Sequence, residues 1–268
     1  VKFDAISGFY LNSNDQLNNC LKVLTVKRDA SYNSINELNS IERKTIMSRE
    51  PAGREFKDEI YRQFARIGKC LSSDKRLELM HLLTQGPKSV EKLAQVTDMS
   101  IANVSRHLQI LLDANLVKFN KKGTYVIYSL ASPDISGFLT SLWRICETQL
   151  AEITRIKTDF LNQFDHLETL SFAEVMNKME EGAIILLDVR PYEEFETNHI
   201  PGAVSVPIEK LHNYLKDLPK NMQIAAYCRG PYCVYSAQAV EDMRREGFTA
   251  FRLEEGVLGW QEYQSQMH

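Results

Sequence analysis

The stretch that most limits how this chain can fold runs from Gln223 to Val234. Gln223-Ile-Ala-Ala-Tyr is an apolar run that delivers Cys228. The loop Arg229-Gly230-Pro231-Tyr232 follows and closes on Cys233 and Val234, and Ser236-Ala-Gln-Ala-Val-Glu-Asp-Met then carries a helix pattern. A short buried strand that feeds a helix through a tight loop belongs in a parallel sheet covered by helices. The same arrangement has a chemical consequence. Loop amides and the positive end of the following helix favour an anion beside them. A cysteine placed there has its thiolate favoured, and the thiolate is the reactive form. Cys228 is therefore the candidate nucleophile.

The residues around that stretch repeat the pattern. Ser171-Phe-Ala-Glu174 is a capping box and opens a helix over 172–180. Ala183 to Asp188 is an apolar strand ending in a carboxylate, and a short helix follows at Tyr192–Thr197. A turn and a second strand occupy 199–207, and 208–217 reads as helix. A helix over 234–246 stops at Gly247, Ala250-Phe-Arg-Leu is another strand, and a last helix follows Glu255. Short apolar strands alternating with helices predict an α/β domain over 171–268 with a mostly parallel sheet. Its reactive groups belong at the C-terminal ends of the strands.

The preceding half has a different rhythm. Phe56, Ile60, Phe64, Ile67 and Leu71 fall three and four residues apart, which predicts one helical stripe. Ser72-Ser-Asp74 caps a helix over 75–84, Ser89 caps one through Val96, and Ser100 caps one over 101–114. A strand from Asn115, a hairpin tip at Lys121-Lys122-Gly123 and a return strand from Thr124 complete the order. Helix, helix, short turn, helix and basic hairpin is the order of a winged helix-turn-helix, whose second turn-flanking helix enters the major groove. Ser100, Asn103, Ser105, Arg106 and His107 then offer base-edge and phosphate partners, and Lys121 and Lys122 suit the backbone. Plainer roles stand beside these. Ser105 is also a simple solvent-facing residue, His107 a packing residue, and two lysines at a turn a solubilising tip.

Charge agrees with contact to a polyanion. Residues 48–131 hold 14 Lys/Arg against 9 Asp/Glu, whereas 171–268 hold 9 against 15. A basic half joined to an acidic half points the first half at nucleic acid.

The whole is thus a multidomain chain. A helix-dominated α+β winged helix-turn-helix domain spans 47–131, a dimerisation helix and linker 132–170, and the α/β domain 171–268. Residues 132–164 read as one long apolar helix, which suits packing against a second subunit. Residues 1–46 are polar, and Met47 looks like a natural start; they read as an upstream extension, from a misassigned start or a disordered arm. The 5 cysteines are scattered and odd in number, so they are no secreted disulfide framework, and a reducing cytoplasm is expected. No run approaches the roughly 18 apolar residues of a membrane helix, and no secretory signal pattern is visible.

Ser100-Ile-Ala-Asn-Val-Ser-Arg-His-Leu-Gln-Ile-Leu-Leu-Asp-Ala-Asn-Leu-Val, with Gly-Thr-Tyr-Val-Ile-Tyr-Ser-Leu after it, resembles the ArsR family of bacterial repressors over about 55–150. The resemblance implies a homodimer, paired through its first and last helices, that binds a palindromic double-stranded operator and leaves it on sensing a ligand. Many members sense metals through a cysteine pair in the helix before the recognition helix. The corresponding segment here, Lys88 to Thr97, has no cysteine, so no metal is expected. Cys70, at the end of the first of the helices the family uses for dimerisation, and Cys146, on the last, are either a second thiol pair or two separately buried residues.

Leu-Asp188-Val-Arg190, Glu193-Glu-Phe, His199-Ile-Pro-Gly-Ala, the strand into Cys228 and Glu-Glu-Gly-Val-Leu-Gly-Trp260 together resemble the rhodanese domain over about 171–268. This implies a sulfurtransferase in which the Cys228 thiolate takes sulfur from a small donor (thiosulfate, polysulfide or persulfide), with Arg229 as a nearby cation. Gly230, Pro231, Tyr232, Cys233 and Val234 form the substrate loop, and no cofactor is called for. Asp188 and Arg190 read as a buried pair bracing the site, and His199 as a turn cap. Cys233 departs from the residues usual at its place. It is either a resolving thiol that attacks the persulfide or a small packing residue. The leading expectation is a transcriptional regulator that couples sulfur or thiol stress to DNA binding. The alternatives are a sulfurtransferase whose DNA-binding half only localises or autoregulates it, and a non-catalytic oxyanion-binding module.

Overall fold

A computed structural model describes residues 53–164 and 167–266. The expected extension 1–46 and the start at Met47 lie outside the described residues. Helix α1 covers 53–71. It is followed by α2 (Asp74–Thr84), strand β1 (Lys88–Ser89), α3 (Val90–Thr97) and α4 (Ile101–Asp113). Then come β2 (Val117–Lys122), β3 (Tyr125–Leu130), α5 (Pro133–Gln149) and α6 (Ala151–Leu161).

Three serines start three of these helices. Ser73, Ser89 and Ser100 accept from the amides of Arg76, Lys92 and Asn103, and such caps contribute about 1 kcal/mol each. Asp98 adopts the left-handed conformation (φ 51°) that ends α3 and turns the chain into α4. The inward faces of α2, α3 and α4 then meet. Leu79, Met80, Leu93, Val104, Leu108 and Leu111 are fully buried in one core, which Val117 and Leu139 extend.

The wing differs from expectation in one respect. Lys121 pairs with Val126 and Lys122 with Tyr125, so the turn itself is Gly123-Thr124 and both lysines stand on β2. Strand β1 was not expected, because two residues are too short to show a period. It exists because the other edge of β3 takes a partner, Lys88 opposite Tyr128 and Ser89 opposite Ile127.

The long helix expected over 132–164 is two helices. Leu150 is extended (φ −115°, ψ 95°) and separates α5 from α6. Thr148 Oγ1 bonds back to the carbonyls of Arg144 and Ile145, both at 3.0 Å, a habit that bends helices. Lys157 of α6 reaches Glu147 of α5 at 3.1 Å and holds the fold-back.

The second body contains β4 (Thr169–Leu170), α7 (Phe172–Glu180), β5 (Ile184–Asp188), α8 (Tyr192–Thr197) and β6 (Val204–Ser205). A 3-10 turn (Ile208–Lys210), α9 (Leu211–Leu215), β7 (Gln223–Tyr227), α10 (Val234–Arg245), β8 (Thr249–Leu253) and α11 (Val257–Gln266) follow. The sheet order is β4-β8-β7-β5-β6, with every pairing parallel. Strand β4 falls in the span read as linker, so the sheet begins before residue 171. Alternate residues of the central strands face opposite layers. Leu187 and Ala226 enter one core with Val240 and Met243, while Leu186 and Ala225 enter the other with Phe172. The capping box at Ser171 and Glu174 forms in both directions. No described helix is long and apolar enough to cross a membrane.

Leu111 is the test of the first core. Leu111→Ala is expected to cost about 2–5 kcal/mol by urea denaturation. Gln109→Ala, on the exposed face of the same helix, should stay within about 0.5 kcal/mol of the parent.

Candidate functional site

Strand β7 is buried from Ile224 through Tyr227 and places Cys228 at its C-terminal end, itself buried. The neighbouring end of β5 is pinned to it. Asp188 accepts from Arg190 N (3.0 Å), Arg190 Nε (2.9 Å), Arg190 Nη2 (2.6 Å) and the Tyr227 hydroxyl (2.7 Å). Tyr227 Oη in turn accepts from Ile200 N at 3.1 Å. Burial pushes the Tyr227 phenol up, and the Asp188 charge adds to it, so the hydroxyl stays a donor. The buried pair read from Asp188 and Arg190 is therefore present beneath the loop. A pair this dry adds little net stability. What it fixes is the height at which β7 presents the next residue.

That residue is joined to Cys233. The two cysteines form a disulfide with a Cα–Cα distance of 6.2 Å, inside the range such bonds occupy. Cys233 N donates to Gly230 O at 3.1 Å, which closes the loop, and α10 starts at Val234 with its positive end toward it. Gly256 packs flat on the loop. A Cβ there would lie 2.7 Å from Cys228 O and 2.8 Å from Gly230 N, so any larger residue would push the loop away. Arg252 supports the loop from beneath, donating to Ser236 Oγ and Pro231 O, both at 3.1 Å. Its Nη1 is buried with no partner. Sequence reasoning missed Arg252, although a charge inside the apolar run of β8 was a visible signal. Tyr232 and Val234 are exposed.

Arg229 is placed differently from the expected free cation at the mouth. Its guanidinium lies on Glu194, Nε to Oε2 at 3.0 Å and Nη2 to Oε1 at 2.9 Å. Lys88 Nζ sits 2.9 Å from the same carboxylate. The side chains of Lys88, Glu194 and Arg229 are only 7%, 3% and 9% exposed. Burial pushes the Glu194 carboxyl up, but Arg229 and Lys88 outweigh it and hold the group below its usual range. Burial pushes the Lys88 ammonium down against Glu194. Glu194, Lys88 and their neighbours Gln85 and His81 were not expected at the site. No spacing rule links residues this far apart in the chain.

The remaining expected residues fall into three groups. On α4, Ser105 and Arg106 are exposed, as are Lys121 and Lys122 on β2. Ser100 is engaged as the cap, and Asn103 is half-buried with its amide 3.6 Å from Met99 Sδ. His107 is half-buried, and burial pushes its imidazole down. His199 bonds Phe195 O at 3.0 Å and stacks on the Phe195 ring at 3.9 Å, within its own turn and on neither loop cysteine. Cys70 and Cys146 are both free thiols. Cys70 is sealed in the first core, where burial pushes the thiol up. Among the described residues no group of three or more His, Cys, Asp or Glu is placed to hold a metal. A cavity of about 350 Å³ opens on the loop at Arg229, Gly230 and Tyr232 and is shared with Trp143 and Glu147 of α5.

Comparison with known proteins agrees with both halves. Residues 73–118 match the bacterial regulatory protein, arsR family, and 171–263 match the rhodanese-like domain. The HTH-type transcriptional regulator Rv0324 of Mycobacterium tuberculosis is 36% identical over 198 residues, covering 74% of this chain and 87% of that protein. The arsenical resistance operon repressor of Bacillus subtilis is 38% identical over 87 residues, 32% of this chain and 83% of the repressor. A solved homodimeric winged helix-turn-helix DNA-binding domain from Mycobacterium bovis, 32% identical, covers 35% of this chain and 87% of its own, with a TM-score of 0.34. With an arsR-family match, a rhodanese-like match and a transcriptional regulator matched over most of both lengths, one assignment is left: the chain belongs to the ArsR family of transcriptional regulators and carries a C-terminal rhodanese-like domain.

Proposed function

We propose that the regulator is a homodimer whose rhodanese-like domain carries sulfur on Cys228 and reports it to the DNA-binding domain. The observation that carries the reading is the Cys228–Cys233 pair on the loop between β7 and α10. Oxyanion binding alone has no use for a second thiol within reach of the first.

The chemistry balances as follows. The Cys228 thiolate attacks the terminal sulfane sulfur of a polysulfide, and the shortened polysulfide leaves with the bonding pair. Cys228 is then a persulfide, whose negative outer sulfur is favoured by the helix end and loop amides. The Cys233 thiol loses its proton and attacks Cys228 Sγ. A disulfide forms and hydrosulfide leaves. The two thiols have been oxidised by two electrons and the sulfane sulfur reduced by two. A low-molecular-weight thiol returns the pair to its reduced form. Arg252 is a buried cation that supports the charged states from beneath the loop, beside Arg229, which is paired with Glu194.

DNA contact follows from α4 and the wing. Arg106 and Ser105 are the exposed polar residues of the recognition helix, and Lys121 and Lys122 face solvent on β2. Phe138, Ile145 and Ile156 are exposed apolar residues on α5 and α6, as a face covered by a second copy would be.

Intact mass after exposure of the reduced protein to inorganic polysulfide tests the carrier. Cys228→Ser is expected to gain no sulfur. Cys233→Ser should gain one sulfur atom on Cys228 and hold it, while wild type passes on to the disulfide. Sulfur retention by Cys228→Ser would sink the reading.

Duplex DNA selected from a randomised pool tests the interface. Arg106→Ala is expected to cost about 1–3 kcal/mol and to relax the selected sequence. Lys121→Ala with Lys122→Ala should lower the slope of log affinity against log salt by about 1.8, at ~0.9 per phosphate contact, with the preferred sequence unchanged.

A further inference from the structure

The sulfur loop is held from both sides, and much of what holds it comes from the DNA-binding half. Lys88 belongs to β1, one residue before the serine that caps α3. Its ammonium is 2.9 Å from Glu194, and Glu194 grips Arg229, the residue after Cys228. His81 of α2 lines the same cavities as Arg229. Tyr232 and Glu147 of α5 line one cavity on the loop, where burial and the Glu147 charge push the Tyr232 phenol up, and Lys157 lies 5.8 Å from the centre of that ring. Gln85, at the end of α2, accepts from Arg190 at 3.0 Å.

The junction is also close-packed. Gly86 has φ +124° and lies so near α8 that a Cβ there would sit 2.8 Å from Thr197 Oγ1. Lys88, buried, meets a carboxylate of the other domain across this junction.

We propose that the sulfur site is built across the two domains, with Lys88 acting as a positioning residue for the Cys228 loop through Glu194 and Arg229. This rests on the reading of Cys228 as the reactive thiol. Lys88, Glu194 and Arg229 together carry one net positive charge beside Cys228, and that charge favours the thiolate. The connection runs both ways, because coupling between two sites is reciprocal. A change of charge or bonding at Cys228 alters what Arg229 and Glu194 hold, and so where Lys88 sets the start of α3. Helix α3 packs on the recognition helix α4, which gives the loop a mechanical route to DNA.

The test compares full-length wild type, Lys88→Met and Lys88→Arg. The first readout is the pH profile of iodoacetamide alkylation of reduced Cys228, followed by peptide mass. The second is the ratio of operator affinity without and with inorganic polysulfide, each variant being its own reference. Lys88→Met is expected to move the alkylation midpoint to higher pH and to reduce a tenfold or larger wild-type ratio to below twofold. Polysulfide should still convert its reduced loop cysteines to the Cys228–Cys233 disulfide. Lys88→Arg should restore both. Tyr232→Phe removes the hydroxyl that faces the cavity shared with Glu147 and keeps the ring; it should also reduce the ratio, and it serves if Lys88→Met does not fold. An unchanged midpoint and ratio in Lys88→Met, or in Tyr232→Phe an unchanged ratio, would overturn the proposal. If Cys233→Ser gains no sulfur from polysulfide and wild type does not pass to the Cys228–Cys233 disulfide, the carrier reading fails, and the alkylation profile alone decides the positioning role.

Discussion

One buried carboxylate, Glu194, is shared by two cations that reach it from different domains. Taking three charges out of water is costly. Such clusters persist where geometry and hydrogen bonds compensate, and losing one member leaves the others exposed to that cost. Here Lys88 and Arg229 both lie within 2.9 Å of Glu194 Oε1, so neither is left alone. The arrangement fixes position more than it adds stability. It sets Arg229 against α8, and so sets the direction in which the loop leaves Cys228. It also sets β1, and with it the cap of α3. The cysteine loop and the helix-turn-helix thus share a support.

A second polar chain runs beside the first. Gln85 accepts from Arg190, Arg190 pairs with Asp188, and Asp188 takes the Tyr227 hydroxyl. This chain ends one residue before Cys228, and the other ends one residue after it. Cys228 therefore sits between two buried networks, each of which begins in the segment joining α2 to α3. A hinge between independent domains would leave that segment in water. Instead Gln85 and Lys88 are buried, which makes the segment part of the site's wall.

Much of this fold was legible because periodicity and caps are local. The three serine caps, the capping box at Ser171 and the strand into Cys228 all follow from neighbours within a few residues. The break at Leu150 was not legible, because an apolar stripe continues through it. The bend depends on Thr148 turning its hydroxyl back and on Lys157 meeting Glu147. Strands β1 and β4, two residues each, exist only by pairing with distant strands. At the site, the loop and the Asp188–Arg190 brace could be read from motif order. The partners of Arg229 could not. A charged residue in a sequence does not say which opposite charge it will meet, and Glu193, Glu194 and Glu196 are equal candidates until α8 turns one of them inward.

The placement of Arg229 changes how the loop's chemistry is explained. A free guanidinium at the mouth would attract any anionic donor and stabilise any leaving group. One held by Glu194 contributes only through the single net positive charge it shares with Lys88, and the loop favours its anion by three further means: the end of α10, the loop amides and the buried Arg252, whose contacts at Pro231 and Ser236 are to neutral oxygens. These act on the sulfur itself more than on approaching solutes. Such a site is better suited to holding a charged sulfur than to collecting substrate rapidly. Turnover matters to a transferase, whereas a regulator needs a state that lasts long enough to be read. A loop whose second thiol can close on the first, and whose flanking residues are tied to the DNA-binding half, meets that second requirement more directly than the first.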